Sequence, residues 1–261
     1  MHHQEPGQSG LKFNTSGISI GADYRFDDRL IVGAGVGYGQ DKTNVGTDGT
    51  QDKATNVAGA VYGSFHPSEK TYIDGVLGYA SMRFETRRYD AAAPEFEFGR
   101  RSGDEWFGSL TAAWVFKRDR LLVSPYGRID GVSGTLDAYT EVGGIGALAF
   151  ASQSVTSLKS TLGVHGDYLY PSSVGLWQPR LRIEYEHEFE GLSGFHLQYA
   201  DWLSGPIYTG TLDGLGRDHL LVGVGTDLRR KSMTFSFDIK TDVDGGSETV
   251  TQIMGKLAWQ F

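Results

Sequence analysis

Residues 177–190 read Trp177-Gln178-Pro179-Arg180-Leu181-Arg182-Ile183-Glu184-Tyr185-Glu186-His187-Glu188-Phe189-Glu190, and their alternation decides the fold. The odd positions Trp177, Pro179, Leu181, Ile183, Tyr185 and Phe189 are apolar or aromatic, with His187 the exception. The even positions Arg180, Arg182, Glu184, Glu186 and Glu188 are all charged. A period of two residues belongs to a β-strand, whose successive side chains leave opposite faces. A soluble antiparallel sheet also shows one apolar and one polar face, so a single strand leaves two readings open.

The neighbours repeat the pattern. Leu158, Leu162, Val164 and Tyr168 oppose Lys159, Thr161, His165 and Asp167, while Met233, Phe235, Phe237 and Ile239 oppose Ser236, Asp238 and Lys240. Working outward, about eleven strands are expected, at roughly 18–26, 30–40, 54–66, 71–89, 105–117, 121–139, 155–170, 175–190, 219–230, 233–244 and 249–261. Connections alternate between short (Asp27-Asp28, His66–Lys70, Lys117–Asp119, Pro171–Gly175, Arg229–Ser232) and long (about 41–53, 90–104, 140–154, 191–218). Trp, Tyr and Phe gather at strand ends: Tyr24 and Phe26, Trp114 and Phe116, Tyr168 and Tyr170, Trp177, Trp259 and Phe261. Short turns opposite long loops, with an aromatic girdle at each interface, describe an antiparallel up-and-down transmembrane β-barrel. The expected fold class is therefore all-β.

Composition agrees with that class. Gly is 37 of 261 residues and Cys is absent, which suits curved strands and leaves no disulfide or thiolate metal site. No apolar run approaches the ~20 residues of a membrane helix, but a barrel strand needs only ~9–11. A net charge of −8 with isolated basic pairs such as Arg87–Arg88 and Arg229–Arg230 excludes nucleic acid as the expected partner.

The opening MHHQEPGQSG has no apolar signal-peptide core, so upstream sequence is expected to be missing. Residues 1–13 are expected to be an irregular or tag-derived segment and 14–261 the barrel, with Leu11–Thr15 extending the 18–26 strand.

At the other end Gly255, Leu257, Trp259 and Phe261 face outward and Lys256, Ala258 and Gln260 inward. This ending resembles the terminal signal by which outer-membrane barrels are recognised for assembly. Family resemblance rests on the order of Gly17–Tyr24, Val32–Tyr38, Tyr72–Tyr79, Pro125-Tyr126, Tyr139–Gly144, Leu158–Gly163 and Tyr185–Phe189, which is similar to the autotransporter translocator domain. The resemblance implies a twelve-stranded barrel in the bacterial outer membrane with a plugging pore helix just upstream. Residues 1–13, with Pro6, Gly7 and Gly10, offer neither that helix nor a clear first strand, so both are expected to precede this chain. Implied partners are the upstream passenger and pore helix, the barrel-assembly machinery, and outer-membrane lipid and lipopolysaccharide. The barrel is expected to be a monomer. A self-standing outer-membrane channel or adhesin barrel without a passenger is the alternative.

No enzyme is expected. Gly-x-Ser-x-Gly does not occur, and the glycine runs 33–39 and 223–225 alternate as strand residues rather than opening a helix. His165, near Asp167, reads as part of a polar network rather than as a general base, and His187 as structural. Asp41, Asp48, Asp52, Asp242 and Asp244 read as solvated loop charges rather than a Ca²⁺ site, and no cofactor is expected. The functional residues are instead lumen-lining charges: Asp23, Arg25, Arg128, Asp130, Lys159, His165, Asp167, Arg180, Arg182, Glu184, Glu186, Glu188, Asp238, Lys240 and Lys256.

Overall fold

The computed structural model describes residues 11–191, 193–211, 216–243 and 251–259. Its strands are β1 (Leu11–Arg25), β2 (Leu30–Val45), β3 (Thr50–Ser68), β4 (Thr71–Asp90), β5 (Glu95–Trp114), β6 (Phe116–Arg118), β7 (Leu121–Leu136), β8 (Tyr139–Thr140) and β9 (Leu148–Phe150). There follow β10 (Gln153–Tyr168), β11 (Tyr170–Ser172), β12 (Gly175–Glu188), β13 (Gly194–Tyr199), β14 (Tyr208–Thr211), β15 (Asp218–Arg230), β16 (Met233–Asp242) and β17 (Thr251–Trp259). Eleven staves pair antiparallel in the order β1-β2-β3-β4-β5-β7-β10-β12-β15-β16-β17. The short β6 and β11 continue β5 and β10 past single unpaired residues, without loss of register against β7 and β12. Among the described residues β1 and β17 each pair on one side only.

Outward positions are apolar and exposed, as in Leu162 (68%), Trp106 (55%) and Leu181 (48%). Among the described residues the buried hydrophobics are only Ala80, Ala113 and Ala147, whereas the inner side buries Glu97, Thr161, Asp167, Glu184 and Asp227. A soluble sheet of this size would need the opposite arrangement, because apolar burial is what drives folding in water. Here the apolar belt awaits lipid and the ladders satisfy the backbone, as any membrane-spanning sheet requires.

The eleven staves match the expected strand count, but two segments expected to be loops are strand. Residues 41–53 and 90–104 extend the β2–β3 and β4–β5 hairpins almost to their tips, leaving turns of residues 46–49 and 91–94. Gly46 (φ 62°) and Gly49 (φ 95°) supply the left-handed backbone that the first turn needs, and Asp48 Oδ1 accepts the Thr50 amide at 2.8 Å. From Tyr79, β4 runs on to Asp90, ~36 Å at ~3.3 Å per residue. Strand beyond the membrane has no lipid to face, so its outward positions carry charge and the apolar alternation that betrays a membrane stave disappears. At the other end β1 begins at Leu11, as the expected extension of the strand over Leu11–Thr15 requires, and Leu11–Phe13 are paired to Thr43–Val45, so the barrel begins at least three residues before the expected boundary at residue 14.

The remaining two long connections also hold strand. β8, β9, β13 and β14 form a sheet in the order β14-β13-β9-β8. Tyr139↔Phe150 keeps the register of Leu136↔Gln153, Leu197↔Phe150 that of Lys159↔Glu188, and Gly194↔Thr211 that of Tyr185↔Leu220. This sheet is therefore the distal continuation of staves β7, β10, β12 and β15. Its faces are swapped. On β10 the inward residues are odd-numbered, yet in β9 the even-numbered Phe150 stacks on Tyr139 at 4.7 Å, and Tyr139 lies over the inward, buried Gly99. The break at residues 137–138 and 151–152 turns aromatics inward where the outer face begins to meet water.

Candidate functional site

The inner wall is built from side chains that reach across a middle stave. Gly163 of β10 stands between Tyr126 of β7 and Glu184 of β12. A Cβ there would lie 2.5 Å from the Tyr126 ring, so glycine alone leaves room for the phenol to cross and donate to Glu184 Oε1. Gly225 of β15 does the same between Arg180 and Asp238, where a Cβ would meet Asp238 Oδ1 at 2.1 Å. Arg180 donates to both oxygens of Asp238 (2.9 and 2.8 Å) and to Asp227 Oδ2 (3.0 Å).

Glu184, 1% exposed, is the hub: Lys240 Nζ lies 2.8 Å from its Oε2 and Arg128 Nη1 3.6 Å from its Oε1. Arg128 also holds Asp130 (2.7 Å), Glu186 (3.2 Å) and Thr161 Oγ1 (3.3 Å). His165 Nε2 is 3.5 Å from Asp167, which also accepts from Gln178 at 2.9 Å. A buried carboxylate between two cations and a phenol offsets much of its own desolvation.

Seven of the expected lumen residues fall into two networks. Arg128, Asp130, Glu184, Glu186 and Lys240 share one network, and Arg180 and Asp238 a second. Glu188 accepts from Ser157 Oγ (2.5 Å) and the Leu158 amide (2.8 Å), with Lys159 opposite it in register. Arg182 is exposed opposite Gly223. Asp23, Arg25 and Lys256 sit on the first and last staves and make no ion pair with another described residue. Of the expected assembly residues, Gly255, Leu257 and Trp259 lie opposite Phe237, Phe235 and Met233, and Phe261 lies outside the described residues. His187 Nδ1 is 2.7 Å from Asp218 Oδ1 at the rim. Asp41 accepts from Thr15 and Asp242 lies 2.6 Å from His219, while Asp244 is outside the described residues. Among the described residues no group of three or more His, Cys, Asp or Glu is placed to hold a metal ion.

Sequence reasoning passed over Tyr126 and Asp227, although each has the strand parity of a chosen neighbour or inward glycine. It also missed an ionic cluster above the membrane. Arg88 of β4 pairs with Glu141 (2.6 Å to Oε2, 3.1 Å to Oε1) and donates to Gly146 O (2.7 Å). Glu141, 2% exposed, also accepts the Leu148 amide, and the fully buried Glu97 accepts that of Gly144. The Glu141 hydrogen bond raises the Arg88 pKa above the ordinary guanidinium value, and burial pushes the Tyr139 phenol up to about 12. Arg101 stands 5.5 Å from both the Phe84 and Tyr139 rings. Together these contacts tie residues 139–148 to the β4–β5 extension, where Val142 bridges Phe98 edge to edge.

Residues 2–240 match the Autotransporter beta-domain family. The chain belongs to that family. Autotransporter beta-domains are outer-membrane barrels of type V secretion, and the fold agrees. The translocator domain of the autotransporter NalP from Neisseria meningitidis superposes with a TM-score of 0.71 at 14% identity, over 96% of this chain and 82% of that one. The beta domain of the Bordetella autotransporter BrkA gives 0.63 at 15% identity, over 97% and 94%. The transport unit of AIDA-I from Escherichia coli gives 0.54 at 12% identity, over 100% and 93%. No curated protein matches the sequence. The autotransporter match ends at Lys240, so the last stave, β17, rests on the structure and these superpositions.

Proposed function

We propose that this barrel carries an N-terminal passenger domain across the bacterial outer membrane and then anchors it at the surface. The observation that supports this reading most is the inner wall: polar from β7 to β16, with charges largely satisfied by one another. A wall that has already paired its charges offers a passing polypeptide few sticky sites, while exposed Arg182 and half-buried Lys159 leave purchase for an acidic plugging helix. Asp23, Arg25 and Lys256, exposed on the outermost staves, serve the same lining once the seam between β1 and β17 is occupied. The chemistry is mechanical, and no catalytic role is assigned. Barrel from about residue 14 onward, a preceding segment leading to pore helix and passenger, a monomeric state and insertion by the barrel-assembly machinery complete the proposal.

The test is a protease-shaving assay on intact cells, with an epitope placed in the native gene ahead of this region. Surface exposure of the epitope, dependent on a folded heat-modifiable barrel, is expected. A folded, inserted barrel with the epitope protected would exclude passenger display and favour a self-standing channel. The assembly signal has its own assay: changing Trp259 and Phe261 to Ser should lower insertion in cells several-fold while leaving folding in detergent nearly unchanged. Equal losses in both would remove the signal from the proposal.

A further inference from the structure

On staves β2 to β5 the outward face beyond Tyr38, Val57, Tyr79 and Trp106 keeps the parity of the lipid belt but changes its chemistry. It carries Lys42, Lys53, Arg83, Arg87 and Arg100. Lys42 lies directly opposite Lys53, Lys53 opposite Glu85, and Glu85 opposite Arg100. Like charges opposed on neighbouring strands repel, so Lys42 against Lys53 is unfavourable unless an anion sits between them. Glu85 and Asp104 are the acids on this face, and the 3.3 Å contact of Glu85 with Arg100 joins side chains 57% and 83% exposed. Such a pair contributes little and leaves most of the guanidinium open.

A cavity of about 620 Å³ opens beside the row, lined by Lys53, Glu85, Arg87, Arg100, Phe98 and Val142. Arg87 is fixed on its wall by donating to Gly49 O (2.8 and 3.1 Å) and standing 4.9 Å over the Phe96 ring. Phe98 and Val142 are 50% and 67% exposed there, although they lie past the apolar belt. The chain as a whole is charged −8, so cations gathered on one sector run against its average. At the corresponding level, β7 and β10 turn Ser133, Thr135, Ser154 and Thr156 outward instead.

We infer that this sector binds the phosphorylated saccharide headgroup of an outer-leaflet glycolipid. Lys42, Lys53, Arg83 and Arg100 take its phosphates, and a sugar ring lies against Phe98. Depth supports this occupant: Arg83 is four residues past Tyr79, ~13 Å along a strand tilted ~40°, which places it ~10 Å above the girdle. Charge does too, because clustered Lys and Arg beside a membrane recognise anionic headgroups and guanidinium suits phosphate. The site depends on the outer-membrane setting and not on a passenger.

The full chain, refolded in detergent and checked by heat-modifiable mobility, is titrated with rough lipopolysaccharide that retains its phosphates, with the same glycolipid after dephosphorylation, and with inorganic phosphate. Binding of the phosphorylated glycolipid should weaken about 100-fold in K53Q/R83Q/R100Q, at roughly a fivefold loss per cation. K53R/R83K/R100K should restore it to within a few-fold, and rising salt should weaken the wild type. Undiminished binding by the glutamine variant, or equal binding of the dephosphorylated glycolipid, overturns the inference. Displacement by equimolar inorganic phosphate overturns the lipid as the source of the anion. If the glutamine variant does not fold, the dephosphorylation and salt arms on the wild type decide alone.

Discussion

Two sectors of the wall leave the membrane differently. Staves β2 to β5 continue through the outer interface without a break, so the positions that faced lipid go on facing outward and turn from Val, Leu and Tyr to Lys, Arg and Glu. Staves β7, β10, β12 and β15 break at the interface and resume as β8, β9, β13 and β14 with their faces exchanged. The first sector adapts to water by changing residues at fixed orientation. The second changes orientation and so keeps its large apolar residues, now Tyr139, Phe150, Phe195 and Leu197, on the inner side. The contrast teaches that register and face are separable: the ladder can run on unslipped while the side chains trade places.

The largest expected effect tests the lock on the second sector. Arg88→Ala leaves Glu141 buried without its cation, which should cost about 3 kcal/mol locally. Limited proteolysis should then cut within residues 137–152 while the barrel keeps its heat-modifiable mobility. If the whole barrel unfolds instead, the extension is not a separate unit.

Depth along one face comes next. Leu162→Arg, on the outward belt, should destabilise the folded barrel by about 2–4 kcal/mol in lipid vesicles, and Thr135→Arg, beyond the belt, by about 0–1 kcal/mol. Urea titration in vesicles measures both, and similar losses would misplace the interface on β7 and β10.

Gly163→Ala should cost about 1–3 kcal/mol, because the Tyr126 ring must leave its seat over β10. Tyr126→Phe in the same background would add little if the hydroxyl contact to Glu184 is already lost. Additive losses, read from the thermal midpoint of the gel shift, would show that the two residues act apart.

The smallest effect belongs to the exchanged face. Tyr139→Leu removes one ring of the Tyr139–Phe150 stack and should cost about 0.5–1.5 kcal/mol. Hydrogen exchange of the β8 and β9 amides should quicken, with β7 and β10 unchanged. Faster exchange in all four strands would argue against the break at residues 137–138.

The membrane staves were legible because lipid imposes a strict two-residue rule on one face, and Trp177–Glu190 carries it almost without exception. Beyond the interface that rule lapses. Lys42, Lys53 and Arg100 stand beside Thr43, Ala54 and Gly99, a pattern shared with any polar loop, so 41–53 and 90–104 did not announce themselves as strand. The lumen charges were legible one stave at a time, from parity. Their partners were not, since Arg180 meets Asp238 only because the register of two intervening ladders brings them level across Gly225. Arg88 and Glu141 were hidden for the same reason, 53 residues apart and joined by a loop that folds back.

The glycine seats on β10 and β15 have a mechanical consequence. A contact that spans three staves is cross-bracing: if the middle strand slides along either neighbour, Tyr126 collides with a side chain and loses Glu184, and Arg180 loses Asp238. Hydrogen-bonded ladders alone resist such shear weakly, because a slipped ladder re-forms one step along. Between β7 and β16 the wall is therefore stiff against sliding. The two staves β1 and β2, whose inner row runs Gly33, Gly35, Gly37 and Gly39, have no charged brace of this kind among the described residues, although the Tyr62 ring reaches over Gly33.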